Sequence, residues 1–264
     1  MSIPIASDRG HVNKTSITIP FILAFISLRH LFHELHEFAH MVAGRLFCGT
    51  WGTRDFNNVH PITATCDSSA IMGVVVGLAG PMVNYTATWI GAAIIRNAKN
   101  SADTSIGLVL IFCSLPIARL VTALFGGGDE IGVARIFITN PLVARLVVIV
   151  LIVSILFYPL LLATKTLSRQ SHGTWHFVGF LFIPMFIEGL GVLLFCNYLL
   201  SEGLLNTPSY VGAPLLVIVV LLVAFLVFFL FRKHLSTGVI KQPVRSAGIT
   251  NFQEGINVSL HQKT

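Results

Sequence analysis

Charge is what this sequence has least of. Asp, Glu, Lys and Arg make up 11% of its 264 residues, against roughly a quarter in an ordinary soluble domain. That shortage, with 54% hydrophobic residues and a mean hydropathy of +0.81, excludes a water-soluble globular fold and indicates an integral membrane protein. Cysteine is sparse and scattered. Cys48, Cys66, Cys113 and Cys196 form no Cys-x-x-Cys pair, which excludes a thiolate zinc site or dithiol redox motif of that spacing. Two of them fall in apolar segments, where a small buried hydrophobe is the expected role. The net charge of +6 does not point to nucleic acid, because the basic residues form no stripe and sit in connections and the tail. There is no internal repeat. No small-residue cleavage site follows the first apolar run, so the first helix is expected to be retained rather than removed as a signal peptide.

What the chain has in quantity is apolar length. A transmembrane helix needs about 20 mainly apolar residues, and six segments supply them, near 17–44, 70–96, 105–125, 141–163, 176–200 and 214–232. The expected fold is all-α, polytopic and multi-pass in the lipid bilayer, with about six transmembrane helices. A polar segment 1–16 precedes a core over 17–140, further transmembrane helices occupy 141–232, and a polar tail fills 233–264. With the amino terminus cytoplasmic, most Lys and Arg of the connections fall on the cytoplasmic side, and Arg45, Arg54, Arg135 and Arg145 on the other. That bias favours both termini inside.

The polar exception is "HELHEFAH", residues 33–40. On a helix, His36 and His40 project from one face about 6 Å apart along the axis, so their imidazoles can chelate one ion. Glu37 can reach a water activated by that ion. This is the physical content of HExxH: two zinc ligands and a general base. A chain with ten His and six Glu would contain only about 0.01 such motifs by chance. His33 shares the same face and can support a ligand or line a water path. Glu34 can carry a proton or hold a ligand histidine; for both residues, an interfacial polar role is an equal reading.

A catalytic zinc takes three protein ligands and leaves a position open. The chain has eleven acids, which makes the search for the third ligand short. Asp8 and Glu254 lie in the tails, Asp103 and Glu202 in short connections, and Asp55 and Asp67 in the 48–69 loop. Asp129, in "GGGDE", follows three glycines, where the backbone can bend sharply and bring a carboxylate to another helix; it can also N-cap the helix that begins at Glu130. Glu130 and Glu188 are the alternative ligands. Glu188, alone in "FIPMFIEGLGVLLF", is expected to pair with Arg119 or His176.

In "GLAGPMVNYTATW", Pro81, Gly77 and Gly80 predict a kink or break near mid-membrane. Asn84 would then offer donor and acceptor to a cavity, to hold an oxyanion or a substrate backbone, or else join helices. Between the first two helices, strand-like runs around a turn near "NNVHP" can form a short β-hairpin. Such a hairpin could pair with an extended substrate through main-chain hydrogen bonds.

Together these residues carry a family resemblance. "HEFAHMVAGRLF" resembles the zinc helix of the site-2 protease family of intramembrane metalloproteases, in which HExxH is followed by a small residue and an arginine, here Gly44 and Arg45. "AGPMVN", 79–84, is similar to that family's GPxxN signature, and "GGGDE" stands where the family supplies its ligand aspartate. The resemblance covers about 17–140. It implies one zinc per chain held by His36, His40 and Asp129, Glu37 as base and acid, Asn84 as a hydrogen-bonder to substrate or transition state, and transmembrane proteins as substrates. The family's Asn-Pro…Asp-Gly pattern is absent here. Its usual orientation, with HExxH toward the cytosol, would put 45–69 inside, opposite to the charge bias. Two other functions use the same residues: a polytopic metal-ion transporter built on the His/Glu cluster, and a di-iron oxidase using Glu37 and His40 with "HGTWH", His172 to His176.

Overall fold

The computed structural model describes residues 17–60, 69–168 and 173–239. The polar segment 1–16, most of the tail, Cys66, Asp67 and His172 lie outside these residues. The first helix, α1 (Ile19–Cys48), opens where Thr18 Oγ1 accepts the Phe21 N–H and Pro20 occupies the first turn. It stops at Gly49, whose left-handed backbone (φ +72°) lets its N–H bond the Arg45 carbonyl. Its 30 residues span about 45 Å. Ser69 caps α2 (Ala70–Arg96), which runs through Pro81 as one continuous helix, so the expected break does not occur. Three shorter helices follow: α3 (Ser101–Cys113), α4 (Pro116–Leu124) and α5 (Asp129–Phe137). Asn140 caps α6 (Pro141–Leu167). The next helix, α7 (Gly173–Glu188), passes through a π-helical stretch, Gly189–Cys196, into α8 (Asn197–Ser201). The chain then returns as α9 (Leu215–Phe231), followed by a 3-10 turn and α10 (Leu235–Gly238).

Among the described residues, five helical stretches are long and apolar enough to cross a membrane: Ala70–Arg96, Ser101–Leu124, Pro141–Leu167, Gly173–Ser201 and Leu215–Gly238. The sequence led us to expect about six. The missing one is α1, which has the length but is diluted by Arg29, Glu34, Glu37 and its histidines. Those side chains are instead enclosed by packing of α1 against α2, α3, α7 and α9. Apolar residues such as Leu222, Phe225, Leu226 and Phe229 of α9 face outward, the reverse of a soluble fold and compatible with a membrane protein.

Among the described residues the only sheet is a two-residue antiparallel ladder, β1 (Thr53–Arg54) with β2 (Val59–His60), Thr53 opposite His60. The turn lies at 55–58, overlapping the start of "NNVHP", where Asp55 Oδ1 accepts the N–H groups of both Asn57 and Asn58 (2.7 and 2.8 Å). Phe56, carried on this turn, is fully buried among Leu200, Ala213, Leu216 and Val217. Arg54 is buried and donates to Glu34 at 2.5 Å, which fastens the turn to α1. Cys48 is disulfide-bonded, a pairing the cysteine spacing did not reveal, while Cys113 and Cys196 are free thiols.

Candidate metal centre

Three side chains converge from α1 and α5. His36 Nε2 lies 3.2 Å from His40 Nε2 and 3.1 Å from Asp129 Oδ2, and His40 Nε2 lies 3.5 Å from that same oxygen. Among the described residues this is the single group of three or more His, Cys, Asp or Glu able to hold one ion. The donor set passes a test of fit. A tetrahedral ion about 2.0–2.2 Å from each ligand atom sets those atoms roughly 3.3–3.5 Å apart, close to the observed edges. His40 Nδ1–H donates to the Val76 carbonyl at 2.6 Å, which leaves Nε2 as the ligating nitrogen.

Local backbone features put these groups together. On α2, Gly80 lies so close to both imidazoles that a β-carbon there would stand within 2.7 Å of His36 Nε2 and nearer still to His40 Nε2. On the other side, Gly126 (φ +79°) and Gly128 (φ +90°) turn the chain between α4 and α5. Gly128 takes the N-cap position, so Asp129 opens α5 without capping it and turns its carboxylate to the histidines. Burial opposes ionisation of Asp129, but the facing His36 and His40 and the Arg119 charge hold its carboxyl well below the usual range.

Glu37 lines a cavity of about 820 Å³ shared with His36, Asp129, Arg119, Arg29 and Glu188, and its Oε1 is 3.9 Å from His36 Nε2. Among the described buried carboxylates, Glu37 alone has no arginine partner. Glu34 is held by Arg54, Glu188 by Arg29 (2.8 Å), and Asp129 and Glu130 by Arg119. Glu188 therefore pairs with neither Arg119 nor His176 as the sequence suggested, and it stands instead beside Arg29, His30 and His33. Neither Glu130 nor Glu188 joins the ligand group. Glu130 is engaged by Arg119 and by the Tyr85 hydroxyl at 2.6 Å.

Asn84 reaches the centre from behind. Its Nδ2 is 3.0 Å from His36 Nδ1, its Oδ1 has no partner, and it is absent from the cavity lining. Turning the carboxamide by 180° exchanges the two atoms and lets Nδ1–H donate to Oδ1, the pairing required when Nε2 is a ligand. His33, which lines the same cavity, donates its Nε2–H to the Phe56 carbonyl (2.7 Å) and so ties α1 to the hairpin turn. Sequence reasoning missed Arg119 as part of the centre. A buried arginine three residues after a proline carries no spacing signal, and the two acids that engage it lie ten and eleven residues later.

The Arg29–Glu188 pair is buried at both ends. Replacing Arg29 by Met should leave Glu188 a buried carboxylate with only His30 and His33 beside it and destabilise the fold by up to about 3–5 kcal/mol. The expected reading is a lower thermal unfolding midpoint in detergent, largely recovered in Arg29→Met/Glu188→Leu; an unchanged single variant would remove the pair from the structural account. Set against family models, curated proteins and solved structures, the chain matches none.

Proposed function

We propose that this protein is an intramembrane zinc metalloprotease that hydrolyses peptide bonds in or near transmembrane segments of other proteins. The observation that carries the reading is one constellation: three ligand atoms within 3.5 Å of one another, with an arginine-free carboxylate, Glu37, in the cavity that His36 and Asp129 also line. His36, His40 and Asp129 would hold the zinc. Bound there, zinc supplies a Lewis acid that acidifies water and polarises a carbonyl. Glu37 accepts the proton of the attacking water and delivers it to the leaving amine. Asn84 orients His36, a role that replaces direct contact with the oxyanion.

The tip of the hairpin supports a route for an extended chain. Asn57 and Asn58 line both the 820 Å³ cavity and a second one of about 210 Å³, and Glu37 and Asp129 line both as well. A peptide running beneath the hairpin from one to the other would pass Glu37.

The test is metal content of the detergent-purified protein, with cleavage of a transmembrane peptide in parallel. One zinc per chain is expected in the wild type, lost with cleavage in His40→Ala and in Asp129→Ala. Zinc retained in Asp129→Ala would remove the third ligand. Zinc uptake into proteoliposomes without peptide cleavage would favour a transporter.

A further inference from the structure

Arg119 has more donors than its neighbours use. Its Nε donates to Glu130 Oε1 (3.1 Å), and Nη2 divides its two hydrogens between Glu130 Oε2 (2.5 Å) and Asp129 Oδ2 (2.7 Å). Among the described residues Nη1 has one acceptor, His36 Nε2 at 3.5 Å, at the long limit of hydrogen bonding. That lone pair is the one a metal would take. In the loaded site both Nη1 hydrogens therefore lack a protein acceptor, and Arg119 is one of the residues that line the cavity.

The guanidinium is also held firmly. It is buried, clamped on two sides by Glu130, and Glu130 is fixed in turn by the Tyr85 hydroxyl. Its helix starts at a strained point: Leu115 adopts a left-handed backbone (φ +60°) just before Pro116. Proline disfavours an α-helical residue before it, and a non-glycine residue at positive φ costs energy that the surrounding structure must offset. The break between α3 and α4 falls where α4 can carry Arg119 toward α5.

A fixed positive charge with two free N–H donors, beside three metal-ligating atoms, matches negative charge developing in the cavity. We propose that Arg119 is a catalytic residue that binds the oxyanion of the scissile peptide, an inference that rests on the peptidase reading. As the water oxygen bonds to the carbonyl carbon, the C=O π pair moves onto oxygen, the water proton goes to Glu37, and Nη1 donates to the new oxyanion. When the C–N bond breaks, that pair re-forms the carbonyl, Nη1 loses its charged partner, and Glu37 returns the proton to the amine nitrogen.

The test needs no peptide. Full-length protein loaded with cobalt in place of zinc is titrated with phenylphosphonate, a tetrahedral anion, and followed by visible absorption. The variants are Arg119→Lys and Arg119→Gln/Glu130→Gln; the double change leaves no orphaned buried carboxylate at 130. Both should bind one cobalt with the wild-type anion-free spectrum. Phenylphosphonate affinity should fall about 10- to 100-fold in the double variant and less in Arg119→Lys. Equal affinity in all three proteins would overturn the proposal. So would loss of cobalt or a changed anion-free spectrum in the double variant, which would make Arg119 a residue that only positions Asp129. A protein that passes this titration yet cleaves no peptide would refute the function while leaving Arg119 an anion-binding group.

Discussion

Changing Glu37 to Gln should leave one zinc per chain and slow peptide hydrolysis by about 10³-fold or more, equivalent to about 4 kcal/mol of barrier. Gln keeps the size and hydrogen-bonding reach of the side chain but cannot take a proton. The loss should be this large because, among the described residues, no other buried carboxylate is free to substitute. Glu34, Glu130 and Glu188 are each committed to a buried arginine, and Asp129 faces both histidines and Arg119. The measurement is single-turnover cleavage of a transmembrane peptide in detergent, with metal content determined on the same sample. Cleavage within tenfold of the wild type would exclude Glu37 as the base.

The second large effect comes from one methyl group. Gly80→Ala should abolish metal binding, lowering affinity by about 100-fold or more, the upper end of what perturbing a ligand's surroundings does. In an ordinary mid-helix position this change would stabilise by about 0.5–1 kcal/mol. Here the new carbon would fall within 2.7 Å of His36 Nε2 and closer to His40 Nε2, well inside contact distance. Close packing leaves the imidazoles no room to retreat, since Asn84 and Val76 hold them from behind. Gly132→Ala, where a β-carbon would meet nothing within 4 Å, is the control. Zinc titration of the two variants checks the prediction. Undiminished binding in Gly80→Ala would show that α1 and α2 can separate and that the observed contact does not constrain the centre.

The same glycine shows how a motif can be visible while its reason is not. "AGPMVN" stands out in the sequence, and Gly77, Gly80 and Pro81 suggest a weakened helix. The helix is continuous, and the glycines serve close approach instead: Gly77 and Gly73 meet Val133 and Ile136 of α5, and Gly80 meets the histidines. Whether a glycine bends a helix or admits a neighbour depends on what packs there, which lies far away along the chain. Asn84 is a similar case. Its donor and acceptor were evident, but their target, His36 Nδ1, was set by the register of α2 against α1.

By itself, the sequence determined the apolar, helical, membrane-type architecture and the pairing of His36 with His40 around Glu37. Hydrophobic length and a four-residue helical spacing are local properties, and each follows from the order of residues alone. Only the tertiary structure decided which acid completes the group, because Asp129, Glu130 and Glu188 all lie far from α1 in sequence. It also decided that Arg29 and Arg54 neutralise Glu188 and Glu34, leaving Glu37 without an arginine, and that Arg119 stands at the centre. Buried charges must be matched in space, and matching in space depends on how helices pack, which a linear pattern of residues does not encode.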